Sequence, residues 1–255
     1  MKKSITIFKY KMLLTAMLIG FLSIHALSQK SFEKDVIPTK KGSLEITFIG
    51  HGSLMFQFKG KIIHVDPFFR LVDYAQLPKA DLILITHQHR DHLDSVALSY
   101  ITIKKTKIVY TQKCKEKAPY ISKALVMKNG DVKKVLGIKI EAFPAYNIIH
   151  KRKNGDFFHP KGEGNSYVLS FANKKIYIGG DTENIPEMKA LKNIDIAFLP
   201  MNLPYTMTPE MVADAAKAFK PKILYPYHLG KTETKLLLDL MKDVKDVEIR
   251  IRKMQ

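Results

Sequence analysis

At 255 residues, with a formal charge of +18 and a single cysteine, Cys114, the chain is long enough for one well-packed domain and cannot form an internal disulfide. The positive balance favours anionic partners, but the lysines are dispersed, with short clusters only at Lys104-Lys105-Thr106-Lys107 and Lys151-Arg152-Lys153. No helix-turn-helix, zinc-finger or aromatic RNA-binding signature accompanies them, so no nucleic-acid partner is expected.

The chain opens with Lys2, Lys3, Lys9 and Lys11 ahead of an apolar run from Met12 to Ile24, closed by Ala26-Leu27-Ser28. A basic start, a short apolar core and small residues at the cleavage positions describe a secretory signal peptide over residues 1–28, cut after Ser28. The expectation is export, to the periplasm or beyond. The run falls short of the roughly 20 residues of a membrane span, so no stable span is expected after cleavage. Loss of the four leader lysines leaves a charge of +14. Residues 29–43, polar and rich in lysine, read as a flexible linker, which places the domain at 44–255.

From Leu44 the pattern changes to short apolar runs separated by Gly, Pro and Asn. Leu44–Ile49, Leu54–Phe58 and Lys61–Val65 are three expected strands with turns at Gly50-His51-Gly52 and Lys59-Gly60. Leu82–Ile85 is apolar throughout, as for a strand buried on both faces. Leu93–Ile101 follows as a helix, then strands at Lys107–Tyr110, Ile138–Ala142, Tyr167–Phe171, Lys175–Ile178 and Ile194–Leu199. Thr208-Pro209 is a helix start, N-cap then Pro in the first turn, and the helix runs to Phe219. Strand Lys222–Tyr225 and helix Thr232–Val244 complete the chain. Strands first and alternation later fit a sheet sandwich with helices outside, and no internal repeat is visible in the residues.

The densest chemistry is Thr86-His87-Gln88-His89-Arg90-Asp91-His92, directly after the buried strand. Imidazole and carboxylate are the ligands that zinc and its neighbours prefer. His87 and His89 are two apart, so an extended segment points both the same way. Asp91 and His92 come where the chain turns into a helix and can face a second position nearby, so the segment suits two metals. A solvated polar loop explains any one of these residues but not four in this order. Other catalytic plans are absent: there is no G-x-S-x-G elbow, and Cys114 has no nucleophile signature and reads as a small core residue.

H-x-H-x-D-H after a strand resembles the signature of the metallo-β-lactamase superfamily. Ile178-Gly179-Gly180-Asp181-Thr182 resembles its loop with a metal-bridging Asp, and Tyr225-Pro226-Tyr227-His228-Leu229-Gly230 its late strand-end His. Phe48-Ile49-Gly50-His51-Gly52-Ser53 and His64-Val65-Asp66-Pro67 resemble the subgroup of the ascorbate-6-phosphate lactonase-like proteins and N-acyl-phosphatidylethanolamine phospholipase D. The resemblance implies a four-layer αββα sandwich and two divalent ions, zinc first, with manganese or iron as alternatives. His87 and His89 would hold one ion, Asp91, His92 and His228 the other, and Asp181 would bridge. A hydroxide between them would attack a phosphodiester, a lactone or another ester-type bond in a small or lipid-like anionic substrate, with Asp91 orienting it and His51 handling substrate or proton. Asp66 would support a metal-binding His, His64 would be structural, and Arg90 would stand at the mouth. One departure stands out: where the resemblance puts a third His for the first ion, this chain has Asn147. His159 is taken as the replacement, ahead of His150 and of Asn147 itself. A non-catalytic metal- or anion-binding module of the same fold is the second reading.

Overall fold

A computed structural model describes residues 32–254. The expected leader, residues 1–28, lies outside them. Glu33 onward forms one compact unit, and among the described residues no helix is long and apolar enough to cross a membrane.

Two seven-stranded sheets face each other. The first takes its strands in chain order: β1 Lys34–Thr39, β2 Gly42–Gly50, β3 Ser53–Phe58, β4 Lys61–Val65, β5 Leu82–Leu84, β6 Lys107–Tyr110 and β7 Leu125–Val126. The second does the same: β8 Val132–Val135, β9 Ile138–Ala145, β10 Gly164–Phe171, β11 Lys174–Ile178, β12 Ile196–Pro200, β13 Ile223–Tyr227 and β14 Glu248–Ile249. In each sheet the first four strands pair antiparallel and the rest join in parallel. The repeat that the residues do not display is therefore present in the wiring.

Period-two alternation sorts the side chains. Leu44, Ile46 and Phe48 of β2, Leu54 and Phe56 of β3, and Leu82 and Leu84 of β5 meet Ile140, Leu169, Ile178, Phe198 and Tyr227 of the second sheet in one inter-sheet core. The alternate residues Val168, Tyr177, Ala197, Leu199 and Leu224 face outward and are covered by α3 Pro186–Lys189, α4 Pro209–Phe219 and α5 Lys235–Met241. Against the first sheet, α1 Ser95–Ile101 and α2 Gln112–Lys117 bury Ala97, Leu98, Ile101 and Cys114, and the outward Ile83 is itself fully buried. Burial pushes the Cys114 thiol up to about 11, as befits a core residue. The two-sheet sandwich with outer helices is the expected fold. Thr208 caps α4 by accepting from Met211 N–H, with Pro209 in the first turn.

The linker expectation for residues 29–43 is corrected over its described part, residues 32–43; residues 29–31 lie outside the described residues. Lys34–Thr39 is a full strand on the edge of the first sheet, paired with β2 from Lys34–Thr47 to Thr39–Gly42. Only Ile37 of this strand is buried, so its composition looks like a tether. What holds it is distant: the Asp35 carboxylate accepts from Arg250, Arg252 and the Tyr225 hydroxyl.

Candidate metal centre

The site lies at one end of the sandwich, where strands of both sheets finish. Three of its side chains or supports sit on residues just past a strand end with left-handed backbone: His51 after β2 (φ 50°), Asp66 after β4 (φ 44°) and His228 after β13 (φ 51°). Each such non-glycine residue costs on the order of 1–3 kcal/mol, which the surrounding fold must supply. Gly180, at φ 61°, has a second reason to be glycine: a Cβ there would lie 2.8 Å from Thr86 Cβ. The His51 turn is closed from two sides, its N–H donating to Met254 O (2.8 Å) and its carbonyl accepting from His228 N–H (2.9 Å).

Among the described residues two groups of donors converge, each with its atoms within 4.8 Å of one another: His87, His89, His159 and Asp181; and His51, Asp91, His92 and His228. In the first, His89 Nδ1 is 3.0 Å from His87 Nε2 and 3.2 Å from His159 Nε2. In the second, His92 Nε2 and His228 Nε2 are 3.2 Å apart. Asp181 stands between them. Its Oδ2 is 3.2 Å from His159 and 3.9 Å from His87, while its Oδ1 is 3.4 Å from both His92 and His228. Four ligands about 2.0–2.1 Å from one tetrahedral ion stand roughly 3.3 Å apart, so these separations are those of ligands around a cation.

The electrostatics agree. Burial holds His87 well below its usual range, and burial with the neighbouring His159 brings His89 down to about 4, so both keep free lone pairs. Burial opposes ionisation of Asp181, but His228 and His92 outweigh it and hold the carboxyl well below the carboxylate range. Burial likewise disfavours a charge on His92, yet Asp181 and Asp66 raise it well above normal, a position where a cation would replace the proton. Asp181 Oδ1 is buried with no hydrogen-bond partner. A buried carboxylate oxygen left so is costly, and a divalent ion is the partner that this donor set fits.

Supporting contacts lock the rings. His92 Nδ1 is 2.9 Å from Asp66 Oδ2, and Asp66 also accepts from Thr86 N–H (2.8 Å) and Thr86 Oγ1 (2.6 Å). The Asn202 amide lies 3.1 Å from His228 Nδ1. His51 Nε2 is 2.9 Å from Asp91 Oδ2, and its ring lies 3.7 Å from that of His228, so it joins the second group through these two residues. His64 is a structural residue: buried, it bonds Pro78 O at 3.0 Å and is brought down to about 4 by desolvation.

The structure places the three candidates for the third-ligand position differently. His159 lies in the first group. His150 is turned away, its Nδ1 on Glu183 Oε1 at 2.7 Å. Asn147 Oδ1 accepts from both the backbone N–H and Nδ1 of His159, at 2.8 Å each. Sequence reasoning did not find Glu183, Asn202, Arg152, Phe158 or Tyr205. The last four line, with Arg90 and all of the donors except His87 and His92, a cavity of about 430 Å³ over the site. Lys151-Arg152-Lys153 reads from the sequence as a basic cluster and His159 as a ligand, but nothing local shows that the loop holding them lines the cavity.

The family described as the β-lactamase superfamily domain matches residues 45–228. The chain belongs to this superfamily. Curated relatives are UPF0173 metal-dependent hydrolases: one from Thermococcus onnurineus is 33% identical over 197 residues, 72% of this chain and 84% of the relative. Another, from Pelotomaculum thermopropionicum, is 30% identical over 197 residues with the same coverage. Among solved structures, a candidate metal-dependent hydrolase from Parabacteroides distasonis is 47% identical, covers 88% of this chain and 100% of its own, and superposes with a TM-score of 0.82. The chain thus shares its superfamily with relatives named metal-dependent hydrolases, and its two groups of candidate donors lie within the matched residues.

Proposed function

We propose that this chain is an exported hydrolase that uses two divalent ions, zinc first, to cleave an ester-type bond, a phosphodiester or a lactone, in an anionic substrate. The observation that carries the reading is Asp181: one buried carboxylate offers an oxygen to each of two histidine groups, and one of those oxygens has no other partner. His87, His89, His159 and Asp181 would hold one ion, and Asp91, His92, His228 and Asp181 the other. Bound cations of this kind polarise the scissile group and bring the pKa of water to about 7.

The protein's own groups do the rest. Arg90 and Arg152 reach the cavity from two loops and favour a substrate with a negative charge. Phe158 and Tyr205, whose rings meet edge to face at 5.1 Å, add an apolar surface, with the Arg152 guanidinium 5.0 Å over the Phe158 ring. His51 stands at the cavity wall with Nε2 2.9 Å from Asp91 Oδ2, where the protonated ring can pass a proton to a departing oxygen and is left as neutral imidazole. Export rests on the leader pattern of residues 1–28.

The test is elemental analysis of the mature protein purified without chelator, together with hydrolysis of bis(p-nitrophenyl) phosphate, p-nitrophenyl acetate and a simple lactone before and after metal removal. Two equivalents of metal and metal-dependent turnover of at least one compound are expected. Absence of bound metal after zinc and manganese addition, or turnover indifferent to chelation, rules the reading out.

A further inference from the structure

We propose that Asn147 and Glu183 form a buried relay that fixes the tautomer and direction of His159, making it the third imidazole of the first donor group; this rests on the metal-centre reading above. The position after β9 therefore does not lose its ligand but passes it to a residue farther along, and keeps a supporting role.

The relay is legible atom by atom. Glu183, fully buried, accepts from Ile148 N–H (2.7 Å), Ile149 N–H (2.6 Å), His150 N–H (2.8 Å), His150 Nδ1 (2.7 Å) and Asn147 Nδ2 (2.9 Å). An ionised carboxylate can only accept, so the edge of Asn147 that faces it must be the NH₂. The same NH₂ donates to Tyr205 O at 2.9 Å. A flipped amide would set its oxygen against two acceptors, so the orientation is forced. Oδ1 then faces His159, where it accepts the backbone N–H and the ring Nδ1–H. With its proton on Nδ1, His159 carries its lone pair on Nε2, the atom 3.2 Å from both His89 Nδ1 and Asp181 Oδ2. Asn147 N–H donating to His159 O at 2.9 Å closes the pair into a staple. The staple is the base of the loop that carries Arg152 and Phe158 over the cavity.

The carboxylate of Glu183 thus acts on the centre through an amide and an imidazole without touching it. Groups that orient a metal-binding histidine in this way are worth about 10- to 100-fold in metal affinity. Asn147→Asp keeps an acceptor for His159 but sets a second carboxylate oxygen against Glu183, so it breaks the relay at its polarity. Glu183→Gln supplies a donor at that contact, and in the double variant it restores part of what Asn147→Asp removes.

The measurement is zinc titration of the full mature chain against a chromophoric chelator, with ¹⁵N NMR of the histidine rings in the metal-free and zinc-loaded protein. In the unaltered protein the expected His159 signals are those of the Nδ1–H tautomer. Asn147→Asp is expected to weaken one of two zinc equivalents by about 10- to 100-fold, and the double variant to recover part of that loss. An Nε2–H tautomer in the unaltered protein overturns the relay even if no variant folds. So does a folded Asn147→Asp protein that binds both equivalents unchanged. If the unaltered protein takes up no zinc while His159 still shows the Nδ1–H tautomer, the metal-centre reading fails and the hydrogen-bond relay itself stands.

Discussion

The two halves of the molecule, Lys34–Val126 and Val132–Ile249, are wired alike, four antiparallel strands followed by three in parallel, yet they equip the site differently. The first half supplies His51 and then four donors from one short loop, His87, His89, Asp91 and His92. The second supplies His159, Asp181 and His228 from three separate loops. Each donor group draws on both halves, so neither half supplies a whole group. The carboxylates near the ends of β4 and β11 show the same divergence: Asp66 supports His92 from behind, whereas Asp181 stands among the donors. Similar backbones have taken opposite duties, one to collect ligands and one to join them.

The strongest way to break this arrangement is Asp181→Ala, which removes the link between the groups. Turnover should fall by at least about 100-fold and bound metal below two equivalents, measured by elemental analysis beside a kinetic assay. Next is His159→Ala, which should leave the first-half loop intact and cost one equivalent. His150→Ala, whose ring faces Glu183, should keep both. Equal metal content in these two variants would undo the assignment of His159. Asp66→Asn should weaken zinc binding by about 10- to 100-fold while leaving the ligands in place, read by competition with a chelator.

The smallest effect compares His64 of β4 with Tyr177, which holds the same place in β11. His64 is neutral in the fold, its pKa brought to about 4 by burial, while the unfolded chain takes its proton near 6.5. The unfolded state therefore binds more protons as pH falls, and stability drops between pH 6.5 and 4. By pH 5 the loss from this one residue is about 2 kcal/mol. Tyr177, bonded to Ser166, does not titrate there, because burial raises its pKa. Denaturant unfolding at pH 7 and pH 5 should show that loss in the native chain and its absence in His64→Gln. Parallel pH profiles would place the acid sensitivity elsewhere.

The same contrast explains what the residues disclosed in advance. The inner faces of β2 to β5 and β9 to β12 alternate or run apolar, and burial dictates both patterns, so they could be read directly. The loop at 87–92 could be read because its donors are neighbours in the chain. Strand β1 could not: Lys34, Asp35 and Thr39 are polar, and the strand exists because β2 pairs with it and because Arg250 and Arg252 meet Asp35 from the far end of the domain. Glu183 was hidden for a similar reason. Nothing beside it marks a carboxylate that receives three consecutive backbone N–H groups from another loop. Asn147 looked like a lost ligand because its partner, His159, comes only after an intervening loop.

The contact between His51 N–H and Met254 O sets an order on biosynthesis. On the ribosome the HQHRDH loop emerges while the second sheet is still unmade, so a nascent chain carries a histidine-rich segment with no bridging carboxylate. Asp181 and His228 arrive later, and the carbonyl that closes the His51 turn comes later still, with the buried Met254. A chain stopped before that residue would own every donor of both groups and still lack the closure of one turn that presents them. Completion of the site is thereby tied to completion of residues 250–254, well past the last donor.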